Sequence, residues 1–82
     1  MNIRYNLYDV VFHVKGKWQL TLEVYDKAQP NKFLWKEIVH SEPYFEGCAG
    51  LTNMRQLYPD ASLDDIHVAD DTIVIIGKCY VS

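Results

Sequence analysis

The chain has 82 residues, a hydrophobic fraction of 49% and a charged fraction of 23%, the balance of an ordinary globular protein and not of a disordered one. At this length a second hydrophobic core would have too few residues to close over itself, so one domain spanning residues 1–82 is expected. The formal net charge of −3 is too weak to imitate a nucleic acid, and two cysteines supply neither a disulfide framework nor a metal set.

In chain order, "DVVFHVKGKWQLTLEVYDKA" reads as a hairpin. Val10, Phe12 and Val14 alternate with Val11, His13 and Lys15, and Trp18, Leu20, Leu22 and Val24 alternate with Gln19, Thr21, Glu23 and Tyr25. "KGK" supplies a glycine for the turn between them. "DKAQPNK" is a longer turn, marked by Pro30 and Asn31. "FLWKEIVHS" resumes the alternation, with Phe33, Trp35 and Val39 on one side and Leu34, Ile38 and His40 on the other. Pro43 ends strand pairing or holds it to an edge.

From Glu46 to Tyr58 the apolar residues Cys48, Leu51, Met54, Leu57 and Tyr58 recur at threes and fours, which predicts a helix stopped by Pro59. "DASLDD" reads as a loop, and "IHVADDTIVIIGKCYV" as a second hairpin bent at "ADD". The expected order is β-β-β-α-β-β. The fold class that follows is α+β: a single antiparallel sheet of four or five strands with one helix packed on one face.

Roughly residues 5–61 resemble the small YegP-like domains, through an aromatic strand, a polar turn, a second extended strand, then Ser41, Glu42 and Tyr44 ahead of a helix bearing Ala49, Met54 and Leu57. The sequence departs from that pattern at Asn53, where a glycine is expected, and at Glu46, in place of a polar N-cap. The resemblance implies a three-stranded sheet with a helix laid on it, and makes the hairpin at 66–82 an addition. It carries over no catalytic residue.

Among the candidate sites, "GCAG" at Gly47–Gly50 suggests an anion cradle or a nucleophile at a strand-to-helix turn. There is no lysine in it, and Glu46 puts negative charge where an anion would sit. The simpler reading makes Gly47, Cys48, Ala49 and Gly50 the small face on which the helix packs close to the sheet. His13, His40 and His67 lack the short paired spacing of zinc ligands, and Asp60, Asp64, Asp65, Asp70 and Asp71 lack the order of a calcium loop. No metal and no cofactor is expected.

Six Lys/Arg stand against four Asp/Glu in residues 1–40, and two against seven in residues 41–82. The basic half also carries Tyr, Phe and Trp, so a nucleic-acid module that stacks bases on a sheet is the alternative function. The leading expectation is a non-enzymatic binding protein acting through protein–protein contacts, because no triad, dyad or cofactor motif assembles while Tyr and Trp are abundant. By analogy with other compact single domains, it is expected to be an accessory factor or inhibitor of a phage or mobile element. A second copy of the chain is among the partners considered. The partner-binding candidates, at element ends and on the less apolar faces, are Tyr25, Lys36, Tyr44, Arg55 and Tyr80. No apolar run approaches a membrane span and "MNIRYNLYD" lacks a signal-peptide core, so a cytoplasmic location with no membrane partner is expected.

Overall fold

The computed structural model describes residues 6–82, in the order α1 (Leu7–His13), β1 (Trp18–Asp26), β2 (Phe33–His40), α2 (Tyr44–Leu57), β3 (Ser62–Ala69) and β4 (Thr72–Val81). Among these residues one four-stranded sheet is ordered β2-β1-β4-β3. Its β1–β2 and β3–β4 pairs are antiparallel hairpins, but the central pair, β1 with β4, is parallel. The α+β class with a single sheet stands. The all-antiparallel arrangement and the single helix do not.

The first correction is α1. The segment expected to be a strand around Val10–Val14 is helical, and "KGK" joins that helix to β1 instead of bending a hairpin. Asn6 begins the helix: its side-chain oxygen accepts from the Tyr8 N–H at 2.9 Å, satisfying one of the free donors of the first turn. Seven residues are too few for a helix to hold itself in water, so burial of Leu7, Tyr8 and Val11 must hold it. Leu7 lies directly over Gly77 of β4, where an added Cβ would come within 2.5 Å of the Leu7 Cδ2.

Helix α2 starts at Tyr44, two residues before the expected Glu46, and buries Gly47, Leu51 and Met54. That stripe is rotated from the predicted one: Leu57 is 57% exposed, and Cys48 is exposed as well. The smallness that matters is at Gly47, where a Cβ would stand 2.6 Å from the His40 carbonyl oxygen, so α2 touches the backbone at the end of β2. The packing role expected of Cys48 therefore belongs to Gly47.

Strand β3 takes in Ser62–Asp65, part of the expected "DASLDD" loop. The hairpin at 66–82 is likewise no appendage, because its second strand lies in the middle of the sheet. Residues 6–61 contribute two strands, not the three implied by the YegP-like resemblance.

The core lies between the helices and one sheet face. Leu20, Leu22 and Val24 of β1 and Ile75 of β4 are fully buried there, beside Cys79. Tyr8 fastens the two helices together. Its hydroxyl lies 2.9 Å from the Met54 carbonyl and 2.8 Å from the Tyr58 carbonyl, within the last turn of α2. Each of these carbonyls also accepts a backbone N–H, from Tyr58 and Ala61 respectively, so Tyr8 adds a second donor that ties α1 to the end of α2.

Candidate functional site

Both helices pack on the face formed by Leu20, Leu22, Val24, Ile75 and Cys79, and among the described residues no element crosses the opposite face. Alternation along each strand sends every second side chain to that open face, and the register aligns them in rows. Phe33, Tyr25 and Tyr80 form one row. The next holds Lys36, Glu23, Lys78 and Ser62, followed by Ile38, Thr21, Ile76 and Asp65. His40, Gln19, Val74 and His67 make the last.

The aromatic row is in mutual contact. The Tyr25 and Phe33 ring centroids are 5.8 Å apart at an interplanar angle of 76°, an edge-to-face pair, and Tyr25 and Tyr80 are 5.9 Å apart. The Lys78 ammonium stands 5.5 Å from the Tyr25 ring centroid. Its charge is also paired with Asp64 at 3.5 Å, and that carboxylate is the main cause of a Lys78 pKa above the ordinary value. Loss of water around the Tyr25 hydroxyl, followed by the nearby Glu23 carboxylate, raises its pKa as well. The row remains accessible despite these contacts: Phe33 is 51% exposed and Tyr80 49%, with Ile38 two rows away at 44%.

Three of the five candidates, Tyr25, Lys36 and Tyr80, thus share the open face. Tyr44 and Arg55 lie on α2 in the helical layer, where Arg55 stacks over Phe12 of α1 at 6.0 Å. Sequence reasoning missed Phe33 as a surface residue and Lys78, Ile38 and Ile76 as its companions. Strict alternation puts Phe33 with Trp35 and Val39, but a register shift at Val24/Tyr25 sets it opposite Tyr25. No residue type in β2 marks that bulge.

The helical layer holds a separate cleft of about 450 Å³, lined by Val11, Phe12, Trp18 and Leu51 with Tyr44 and Cys48 at its side. Hydrogen bonding to Cys48 is the chief cause of a raised Tyr44 pKa. The lining contains no histidine, and its ionisable groups besides Tyr44 and Cys48 are Lys17 and Glu42. Under α2, the nearby Glu37 carboxylate is the chief cause of a raised Tyr58 pKa, and Glu37 Oε2 is buried without a partner among the described residues. Those residues contain no group of three His, Cys, Asp or Glu able to hold a metal ion, and no helix long and apolar enough to cross a membrane.

Comparison with protein-family models, curated proteins and solved structures found no match to this chain.

Proposed function

We propose that this chain is a non-enzymatic binding protein that docks its open sheet face onto a protein partner and acts by occupying the partner's surface. The observation that carries this reading is the Phe33–Tyr25–Tyr80 row, with Phe33 and Tyr80 half exposed, near Ile38 and Ile76 on the same face. Aromatic side chains offer large contact area at low conformational cost and are enriched at the centres of protein interfaces. The charged row between them alternates in sign, which suits polar contacts within an interface. That the chain is an accessory factor or inhibitor of a phage or mobile element rests on analogy with other compact single domains.

The nucleic-acid alternative finds less support on this face. Lys36 and Lys78 are offset by Glu23, Asp64 and Asp65, and Lys78 is already paired. Phosphate binding draws most of its affinity from unpaired cations.

The test is capture from nuclease-treated lysate of the source cell by the tagged chain, with the Phe33→Ala/Tyr80→Ala variant in parallel. The reading expects a defined protein retained by the wild type and lost by the variant, with thermal stability unchanged. Capture of nucleic acid alone, weakening steeply as salt rises, would replace it with the alternative.

A further inference from the structure

Strand β3 is an edge of the sheet, and among the described residues its outer side is met only at its start, where Asn6 forms an antiparallel bridge with Ser62, leaving Asp65–Ala69 without a strand beside them. The β3–β4 hairpin closes on Asp70 and Asp71, with Ala69 opposite Thr72. In a two-residue hairpin the closing pair exchanges hydrogen bonds, and the exchange then alternates along the ladder. Ala69, His67 and Asp65 therefore spend their amide and carbonyl groups on β4, while those of Val68 and Ile66 face the free edge. These two residues also carry exposed apolar side chains, Val68 at 70% and Ile66 at 44%. Their partners across the ladder, Ile73 and Ile75, place them on the helix-bearing face, beyond the area that the helices cover. Unpaired backbone combined with apolar side chains is what edge strands ordinarily avoid.

We infer that β3 pairs antiparallel with β3 of a second copy of this chain, about a two-fold axis perpendicular to the sheet and centred on His67. The two four-stranded sheets join into one of eight strands. The register follows from the strand itself. A shift between Leu63 and Asp65 ends the regular run, leaving Asp65–Ala69, whose middle residue is His67. Centring there pairs every residue of that run. It also sets each Ile66 opposite the second copy's Val68, so the apolar pair forms twice. Moving the axis by half a residue would oppose core-face to open-face side chains. Moving it by a whole residue, to Ile66, would set Val68 against the charged Asp64 at the irregularity.

A polar contact fits the same register. Asp65 lies 2.9 Å from His67 of its own strand. In the paired sheet it also stands diagonally across from the second copy's His67, a spacing at which cross-strand side chains interact. A perpendicular axis keeps all helices on one side and joins the two open faces on the other. The dimer contact uses an edge and the proposed partner contact uses a face, so each can fail without the other. Pairing over so short a run falls below the size of a standard interface, about 1,600 Å², and predicts a weak dimer.

The experiment is sedimentation velocity over a range of protein concentrations in a Cys48→Ala background, which removes the exposed thiol. The expected result is a monomer–dimer equilibrium with dissociation in the micromolar range, shifted at least tenfold toward monomer by Val68→Lys. Val68 is exposed, so this variant should keep the wild-type circular dichroism and melting temperature. His67→Cys in the same background should form a disulfide-linked dimer on mild oxidation, since a central non-hydrogen-bonded pair brings Cα atoms to about 4.5 Å. Monomer at every concentration up to 1 mM would overturn the inference. So would a dimer that withstands Val68→Lys and leaves His67→Cys unlinked.

Discussion

At Tyr8 one side chain joins burial, helix capping and ionisation. Its ring is 1% exposed, and burial, followed by the nearby Cys79 and Glu37, pushes its pKa up to about 12 from an ordinary 10.0. A raised pKa means that the folded state holds the proton longer than the unfolded one. The resulting stability is fully present below pH 10 and is lost as the pH climbs toward 12. Tyr8→Phe should cost about 1 kcal/mol in urea unfolding, because the hydroxyl's bond to the end of α2 is lost while the Met54 and Tyr58 carbonyls keep their backbone donors. The variant should also show a shallower loss of stability across that alkaline range. A variant as stable as wild type, with the same alkaline profile, would remove Tyr8 from the account.

The neighbours Gly47 and Cys48 make a second residue-scale contrast. Helix propensity alone favours alanine over glycine by about 1 kcal/mol. Gly47→Ala nevertheless drives a methyl group to 2.6 Å from the His40 carbonyl, so a net destabilisation of about 1–3 kcal/mol is expected from thermal melting. Cys48→Ala should change the melting temperature little, since that side chain is exposed. The small-residue run was legible in the sequence. Which of its members touched the sheet was not, because the rotation of α2 is set by Leu51 and Met54 packing in three dimensions.

Among the elements, β1, β4 and most of β2 could be read from alternation, and α2 from its threefold and fourfold spacing. Helix α1 could not, for a physical reason. In a short segment, Val10, Phe12 and Val14 satisfy period two while Leu7 and Val11 satisfy a helical turn, and β-branched residues favour the first reading. The signal that separates them is Asn6, placed to cap a helix ahead of Leu7. Strand β4 carried another clue in its near-continuous "TIVII", the pattern of a strand flanked on both sides. Amide hydrogen exchange should report this order. Amides shared by β1 and β4 should exchange slowest, and those at the outer sides of β2 and β3 fastest. Faster exchange in β4 than in β3 would contradict the topology.

For the whole molecule, the parallel pairing of β1 with β4 is the least legible feature. It joins residues 55 positions apart, and neither strand's own pattern names its partner. Its consequence is functional. The parallel pair brings Tyr80 beside Tyr25, and the hairpin brings Phe33 to Tyr25, so the aromatic row exists only in the assembled sheet. The sequence alone could nominate Tyr25, Lys36 and Tyr80 as surface residues, but could not show that they share a face while Tyr44 and Arg55 do not. That division makes the open face testable against the helical layer in one experiment. Hydroxyl-radical footprinting of the chain, alone and in complex with the partner that it captures, reads both surfaces at once through their exposed aromatic side chains. The account predicts that Phe33 and Tyr80 become protected while Phe12, Tyr44 and Phe45, at 59%, 72% and 84% exposure, stay as reactive as in the free chain. Protection of Phe12, Tyr44 and Phe45 with Phe33 and Tyr80 unchanged would contradict it, and would move the interface to the cleft between the helices.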